Sequence, residues 1–154
     1  MIIEFEDEFA FLSNFYDSPF EYDGIKYPTN EHFFQAMKTL DQEERKRIAA
    51  AATPGESKRL GRTVALRADW EEVKADVMML GLRLKFSQNP SLAASLIETG
   101  DEELIEGNWW HDNTWGNCLC AKCSRIPGRN LLGMLLMELR KELQYEATLN
   151  VEKN

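Results

Sequence analysis

Glu31, Gln35 and Lys38 place a carboxylate, an amide and an amine at intervals of four and three residues. We predict a helix from about Thr29 to Leu40, on which these three positions fall along one face. A carboxylate beside a lysine suits proton transfer, and a lysine that loses its proton readily can form a Schiff base with a carbonyl group. The competing interpretation is a solvated Glu–Gln–Lys face, a common feature of amphipathic helices.

A second carboxylate, Asp112, lies in the tryptophan-rich segment Asn108–Gly116. Aromatic neighbours can exclude water from a carboxyl group and so favour its protonated form, which suits an acid catalyst. The pair Asp112–Asn113 is also a common turn sequence. Asp112 is therefore either a second catalytic carboxylate or a turn residue.

Further side chains suit contacts with a ligand that carries phosphate and a flat ring. Arg59 and Arg62 carry guanidinium groups that suit a phosphate or diphosphate, although arginines near a helix C-terminus are also stabilised by the helix dipole alone. Trp70 can stack on a nucleobase, and it can equally anchor the core. Asn14 can hydrogen-bond a ribose or a base while Phe15 stacks on it. The competing interpretation makes Asn14 a turn residue.

The three cysteines, Cys118, Cys120 and Cys123, lie close together in the sequence. Their odd number argues against a disulfide framework. Three thiolates at this spacing can reach one zinc ion, and His111 is the nearest candidate for the fourth ligand that a structural zinc site needs. Because no second cysteine pair exists, we favour three reduced thiols in a loop. We predict no metal and no other cofactor, and we expect the cysteines to be dispensable for the chemistry.

Length and charge narrow the class of protein. A chain of 154 residues is expected to form a single domain, with a core over about 2–144 and a frayed tail over 145–154. The formal net charge of −8 argues against broad nonspecific binding to nucleic acid but allows a local basic pocket. No apolar run is long enough to cross a membrane, and the N-terminus lacks the features of a signal peptide. We therefore expect a soluble cytoplasmic protein.

The pattern predicts a mainly α-helical chain with a little β-structure. Asp23 and Gly24 predict a type I′ hairpin between short strands on either side, and Ile2–Phe5 and Leu104–Glu106 are two more short strands. Asp41, Thr53 and Asp69 are the predicted N-caps of later helices. After the first helix, apolar periodicity and these caps predict helices over about 42–52, 54–61, 70–88, 90–98 and 130–144.

Five blocks of the chain recur in the same order in one known family. They are Ser13-Asn14-Phe15, P-T-N-E-H-F-F-Q-A from Pro28, W-E-E-V-K-A-D-V-M from Trp70, D-N-T-W-G from Asp112 and G-R-N-L-L-G from Gly128. In this order and spacing, over roughly Phe5 to Leu143, the chain resembles the NADAR superfamily, also called the YbiA-like N-glycosidase family. The resemblance implies one compact domain of several helices with a small β-hairpin, a mainly α (α+β) fold.

The resemblance also implies a function. It implies hydrolysis of the N-glycosidic bond of a ribosylated small molecule, either a phosphoribosylamino-pyrimidine intermediate of the riboflavin pathway or an ADP-ribosyl adduct such as ADP-ribosylated guanine. Glu31, Lys38 and Asp112 would be the catalytic residues, with Lys38 as nucleophile or electrostatic partner. The expected substrate-binding residues, including those added at motif positions, are Asn14, Phe15, His32, Gln35, Arg59, Arg62, Trp70, Trp115, Gly116 and Asn130.

Two other classes of function stay open on the sequence. The first is a noncatalytic module that binds ADP-ribose or a related nucleotide. The second is a cysteine-rich zinc module for interaction with other proteins. An intact pocket without a carboxylate near the sugar carbon would favour the binding module, and metal analysis of the purified protein would test the zinc module.

Overall fold

The computed structural model describes residues 1–153, and its backbone groups into two compact units. One unit is Asn14–Pro90, and the other joins Met1–Ser13 to the chain from Ser91 onward. Helices predominate in the described residues, and the β-structure consists of small two-stranded sheets. This confirms the predicted mainly α fold class. No helix within residues 1–153 is long and apolar enough to cross a membrane.

The first sheet of the Asn14–Pro90 unit is the predicted hairpin. Strand β1 (Phe20–Tyr22) pairs antiparallel with β2 (Ile25–Tyr27). The turn residues Asp23 and Gly24 both have positive φ, at 52° and 77°. A type I′ turn requires this backbone conformation at both central positions, and Asp and Gly adopt it at low cost. The local sequence is therefore sufficient to form this turn.

The hairpin packs on helix α1 (Asn30–Ala36) through one aromatic ring. Phe33 makes edge-to-face contacts with Phe20, Tyr22 and Tyr27, at ring-centroid distances of 5.3, 5.4 and 5.3 Å. Such pairs add roughly 0.5–1.5 kcal/mol each beyond the area they bury. The cluster holds the face of α1 that carries Phe33 against the hairpin.

Helix α1 begins as predicted but ends four residues earlier than Leu40. Thr29 caps it by accepting a hydrogen bond from the His32 amide. The carbonyls beyond the helix end are engaged by distant donors: Arg67 N donates to Lys38 O at 2.8 Å, and Arg45 Nε donates to Thr39 O at 2.8 Å. Because these carbonyls are turned towards side chains and another loop, the helix cannot continue. Lys38 therefore lies in the turn that follows α1.

The next two helices have the predicted caps. Helix α2 (Gln42–Ala49) begins where the Asp41 side chain accepts a hydrogen bond from the Glu43 amide, and it ends three residues before the predicted Ala52. Helix α3 (Pro54–Gly61) has the predicted bounds, with the Thr53 side chain accepting from the Glu56 amide. Polar caps and a proline in the first turn explain both starts.

Helix α4 (Trp70–Gln88) has the predicted length and the predicted N-cap residue, Asp69, but the side chain of Asp69 does not cap it. The Asp69 side chain makes no capping hydrogen bond, because its carboxylate binds Arg67 at 2.6 and 3.0 Å. The buried face of α4 also includes a lysine, Lys85, which is fully buried. Burial lowers the pKa of Lys85 to about 7, since the apolar surroundings disfavour the charged amine.

The other unit holds α5 (Pro90–Glu98) from Ser91 on, and α6 (Leu131–Lys153), with strands β3 (Gly107–Asn108) and β4 (Asn117–Cys118) paired in parallel between them. The two predicted strands at Ile2–Phe5 and Leu104–Glu106 are reduced to a single parallel bridge between Ile2 and Leu104. Two residues in register are too few for a regular ladder, so these strand predictions were too long.

Helix α6 continues well past the predicted end at Gln144, to Lys153. The residues from Tyr145 to Lys153 contain Glu, Ala, Leu and Lys and no Gly or Pro, so the helix meets no interruption there. The predicted frayed tail is therefore helical over residues 145–153. Asn154 lies outside the described residues.

Candidate functional site

The structure buries Glu31 and Gln35 side by side on α1. The two side chains are 7 % and 4 % exposed, and Gln35 Nε2 donates a 2.8 Å hydrogen bond to Glu31 Oε1. The i, i+4 spacing on a helix brings them together, as predicted. The Oε1 atom of Gln35 is also buried and has no hydrogen-bond partner within residues 1–153. The carboxylate is thus oriented by an amide whose own oxygen is free to accept a further bond.

Lys38 adds an amine to this pair. It is half-buried in the turn after α1, and burial is the largest cause that lowers its pKa. Glu31 opposes this shift, while the positive charges of Arg62 and Lys58 add to it. These effects require all four charged groups to lie in one neighbourhood. The structure therefore brings together Glu31, Gln35, Lys38 and Arg62.

Lys58 is a member of this neighbourhood that the sequence interpretation missed. It precedes Arg62 by four residues, which is the spacing that aligns side chains on one helix face. That spacing was the signal available in the sequence. Lys58 and Arg62 together give the neighbourhood of Lys38 two further positive charges.

Arg59 has a different position from Arg62. Its guanidinium donates to the Glu56 carboxylate at 2.5 and 3.1 Å, in an i, i+3 pair on the exposed surface of α3. An exposed pair of this kind contributes little to stability, because water and salt screen both charges. Of the two arginines predicted to bind phosphate, Arg62 lies near Lys38 and Arg59 is paired with Glu56.

The α1–α3 contact depends on a close approach at Gly61. A Cβ atom added there would lie 2.1 Å from Gln35 Oε1 and 3.0 Å from its Cδ. We expect Gly61→Ala to push Gln35 away from its position and to lower the free energy of unfolding by about 1–3 kcal/mol, the usual cost of overpacking. Thermal or denaturant unfolding measures this change.

Gly55, in the same helix, is the matched control for Gly61. A Cβ atom there would meet only Thr53 Oγ1, at 3.9 Å. Gly55→Ala should change stability by less than about 0.5 kcal/mol, or raise it slightly through helix propensity. Equal stability of the two alanine variants would contradict the close approach of Gly61 to Gln35.

Two aromatic rings lie on the same stretch of chain. Trp70 and Phe34 are 6 % and 7 % exposed, and their ring centroids are 5.0 Å apart at an interplanar angle of 58°. Phe34 follows Glu31 by three residues and precedes Lys38 by four. Residues three apart share a helix face, so the ring pair lies on the face of α1 that carries Glu31. Both predicted roles of Trp70, a core anchor and a wall for a base, are compatible with this position.

Asn14 supports the start of α1. Its backbone carbonyl accepts from the Glu31 amide at 3.0 Å, and its side-chain oxygen accepts from Asn30 Nδ2 at 2.8 Å. Its own Nδ2 donates to Met78 Sδ at 3.4 Å. Asn14 is thus connected to the backbone of the buried acid itself. Phe15, the next residue, is 48 % exposed.

His32 is buried with both ring nitrogens engaged. Nδ1 lies 2.8 Å from Thr29 Oγ1, and Nε2 lies 3.0 Å from the Ala51 carbonyl oxygen. A carbonyl can only accept, so Nε2 carries the proton and Nδ1 accepts from the Thr29 hydroxyl. Burial lowers the pKa of His32, which agrees with this neutral form. His32, predicted to bind substrate, ties α1 to the loop that carries Ala51.

The other predicted carboxylate, Asp112, is half-buried in a turn of the other unit. Its Oδ1 accepts from the amides of Thr114 at 3.0 Å and Trp115 at 2.9 Å. The buried Asn108 side chain donates to the Asp112 carbonyl at 2.8 Å and accepts from its amide at 3.1 Å. Asp112 therefore has the turn role that the sequence left open, and one oxygen of its carboxylate is engaged in it.

The remaining predicted binding residues shape the start of α6. Asn130 N donates to Gly116 O at 3.1 Å, and Leu132 N donates to Trp115 O at 3.0 Å. The Asn130 side chain accepts from Glu106 N at 2.9 Å and donates to the Leu104 carbonyl at 2.9 Å. The two backbone contacts satisfy amides that a helix start leaves without partners. Trp115, Gly116 and Asn130 thus have a structural role in this unit.

Comparison with known proteins identifies the family of this chain. The NADAR domain model matches residues 3–144. The chain is 41 % identical over 142 residues to the N-glycosidase YbiA of Escherichia coli (strain K12), covering 91 % of this chain and 85 % of that protein. The NMR structure of the E. coli protein YbiA superposes with a TM-score of 0.81 and 39 % identity, over 96 % of this chain and 88 % of that one.

A longer relative carries the same kind of sequence. A riboflavin biosynthesis protein of Vibrio vulnificus (strain YJ016) is 34 % identical over 152 residues, covering 95 % of this chain but 39 % of that protein. Both the family model and the E. coli relative extend over most of the chain. The chain belongs to the NADAR domain family.

Proposed function

We propose that this protein cleaves the N-glycosidic bond of a ribosylated nucleotide. Its family membership and its 41 % identity to a named N-glycosidase across most of both chains make it a hydrolase of the glycosidase type. The substrate is inferred: a phosphoribosylamino-pyrimidine intermediate of the riboflavin pathway, or an ADP-ribosyl adduct such as ADP-ribosylated guanine. The similarity to a riboflavin biosynthesis protein supports the first class.

The observation that carries this proposal is the half-buried amine of Lys38 near the buried carboxylate of Glu31. Burial makes the amine easier to deprotonate, which is what an attacking amine requires. Gln35 holds the carboxylate through a 2.8 Å hydrogen bond. An amine and a carboxyl group so placed can act on the two atoms of a breaking bond. The amine attacks the carbon, and the carboxyl group gives a proton to the departing nitrogen.

The proposed reaction begins when the neutral Lys38 Nζ attacks C1′ of the ribose. The C1′–N bond breaks, its electron pair goes to the departing nitrogen, and that nitrogen takes a proton from the acid form of Glu31. Lys38 Nζ then gives a proton to the Glu31 carboxylate. The protonated Glu31 then gives that proton to O4′ as the C1′–O4′ bond opens, which leaves a Schiff base between C1′ and Lys38 Nζ. Water adds to C1′, the C1′–Nζ bond breaks, and the free sugar and the lysine are released.

Positive charge near Lys38 suits the phosphate that both substrate classes carry. The positive charges of Arg62 and Lys58 both lower the pKa of Lys38. An arginine can bind a phosphate with two parallel hydrogen bonds, and a lysine adds a point charge. Both cations also disfavour protonation of Lys38, so the same groups serve binding and activate the amine. Trp70 and Phe34 offer an apolar surface for the base.

Asp112 is proposed as a second catalytic carboxylate, and one variant separates that role from its turn. Asp112→Asn keeps the Oδ1 acceptor for the Thr114 and Trp115 amides, so the fold should be retained. If the carboxylate transfers a proton, turnover should fall by about 10²–10⁴. The rate of product formation and the unfolding temperature are the measurements. Asp101→Asn, at an exposed position, is the control. Parental turnover in Asp112→Asn would leave Asp112 with the turn role alone.

A product assay distinguishes the substrate classes and the rival function. The purified protein is incubated with a phosphoribosylamino-pyrimidine and, separately, with ADP-ribosylated guanine, and the products are identified by mass spectrometry. Release of ribose 5-phosphate or of ADP-ribose identifies the class. Binding of ADP-ribose without release from either substrate would favour the noncatalytic binding module.

A further inference from the structure

We propose that His111, Cys118, Cys120 and Cys123 bind one zinc ion. One ring nitrogen and three sulfur atoms of these residues all lie within 4.8 Å of one another. All four residues belong to the unit that contains Asp112. One imidazole with three thiolates is a ligand set that zinc commonly takes in structural sites.

The distances within the cluster match a tetrahedral metal site. His111 Nδ1 lies 3.7 Å from Cys118 Sγ, 3.4 Å from Cys120 Sγ and 3.5 Å from Cys123 Sγ. Zinc–sulfur bonds of about 2.3 Å and a zinc–nitrogen bond of about 2.0–2.1 Å at tetrahedral angles place nitrogen and sulfur about 3.6 Å apart. The three observed distances lie on either side of this value.

Hydrogen bonding alone does not account for this cluster. A neutral imidazole nitrogen offers either one proton or one lone pair, so Nδ1 can make one good hydrogen bond. Here three sulfur atoms converge on that single nitrogen. A cation at the centre would bind all four atoms at once, each through its own lone pair.

The backbone that carries the ligands is held by its own contacts. Cys118 lies in β4, is 2 % exposed, and donates its amide to Asn113 Oδ1 at 2.8 Å. Cys123 N donates to Cys120 O at 3.1 Å, which closes a turn and brings these two thiols to one side. His111 has φ 68°, a left-handed conformation that only a few per cent of non-glycine residues adopt. This unusual backbone brings His111 Nδ1 to the sulfurs.

The site would be structural. Four protein ligands fill a tetrahedral zinc, so no position is open for a substrate or water. Binding one zinc ion releases the protons of three thiols and leaves a site with a net charge of −1. The ion would join the residue next to Asp112 to the loop that runs from β4 towards α6. Zinc would therefore stabilise this loop without entering the chemistry, and the cysteines would stay dispensable for turnover in a protein that still folds.

The first test is metal content and ligand spectroscopy on the full-length reduced protein. After reconstitution with zinc and removal of free metal, we expect one zinc per chain by elemental analysis. Titration with Co²⁺ should give the intense visible bands of a tetrahedral site with thiolate ligands, and zinc should displace the cobalt. A reduced protein that retains less than about a tenth of an equivalent of zinc, the level expected of adventitious metal, and gives no such bands would overturn the proposal.

Ligand variants make the assignment specific. Cys120→Ser should weaken zinc binding at least about tenfold, whereas Ser124→Ala, an exposed non-ligand in the same loop, should bind as the parent does. His111→Cys keeps four ligands, so it should retain one metal per chain with a cobalt spectrum shifted by the fourth sulfur. Parental cobalt spectra in His111→Cys, or parental affinity in Cys120→Ser, would overturn the assignment.

Stability gives an independent readout of the same site. With free zinc at about a hundred times its dissociation constant, the unfolding temperature should rise by about 5–10 °C over that of the metal-free protein. The rise should be absent when Cys118, Cys120 and Cys123 are all replaced by Ser. The same rise in that variant would overturn the proposal. These measurements need no turnover, so they stand apart from the proposed N-glycosidase function.

Discussion

Lys38→Arg is expected to lose turnover by about three orders of magnitude or more, the scale seen when a catalytic nucleophile is removed. Arginine preserves the positive charge but cannot readily act as an amine nucleophile. Borohydride should trap a ribosyl adduct on the parent protein during turnover, and peptide mass spectrometry should locate it on Lys38. Initial rates and adduct yield are measured side by side for both proteins.

The trapping should also depend on pH in a defined direction. Burial and the charges of Arg62 and Lys58 lower the pKa of Lys38 from the ordinary value of 10.5, so the amine becomes neutral at a lower pH than an exposed lysine does. The limb of the pH profile that reports the amine should therefore rise with pH and have its midpoint below pH 10.5.

Lys46 provides the matched control for Lys38. It is an exposed lysine on α2, 3.2 Å from Glu43, and Lys46→Arg should leave turnover and trapping unchanged. If Lys38→Arg is active and no adduct can be trapped, the reaction does not proceed through a Schiff base. The better account would then be direct hydrolysis, in which Lys38 supplies only charge and Glu31 assists an attacking water.

Glu31→Gln should reduce turnover by about two to four orders of magnitude while the protein stays folded. Glutamine has nearly the same shape and keeps an oxygen that can accept the hydrogen bond from Gln35 Nε2, so the change is confined to the ionisable group. Turnover is measured together with the unfolding temperature, which identifies a loss of activity caused by a loss of structure.

Glu43→Gln, with a side chain 82 % exposed, is the control for Glu31→Gln and should have parental activity. Near-parental turnover in a folded Glu31→Gln variant would remove Glu31 from the mechanism. The two substitutions at Glu31 and Lys38 also test each other. Loss of activity in Glu31→Gln with retained trapping at Lys38 would indicate that the acid acts after the lysine has attacked.

Some of the fold follows from neighbouring residues in the sequence. Asp23-Gly24 specifies its turn because both residues accept positive φ, and Thr53 with Pro54 specifies the start of α3 through a cap and a fixed φ. The pairing of Glu31 with Gln35 follows from helix periodicity in the same way. In each case the interacting groups lie within one turn of chain, so no distant part of the protein needs to be known.

Other features depend on residues that are far apart in the sequence. Arg45 Nε and the Arg67 amide donate hydrogen bonds to the Thr39 and Lys38 carbonyls just after α1. The helix ends before these carbonyls, so Lys38 lies in a turn and not in the predicted helix. Which of the two arginines acts on Lys38 also depends on tertiary structure, because Glu56 pairs with Arg59 and the turn brings Lys38 near Arg62. A helix pattern gives the face on which a side chain lies, but it does not give the partner that meets it.

The cysteine cluster also depends partly on the local sequence and partly on the tertiary structure. The sequence alone determined the family, the helix pairing of Glu31 with Gln35 and the presence of three closely spaced thiols. Only the tertiary structure placed His111 Nδ1 among the sulfurs, because that requires both the β3–β4 pairing and a left-handed backbone at His111. Spacing along a chain limits which ligands can meet, while their convergence on one point is set by hydrogen bonds between segments.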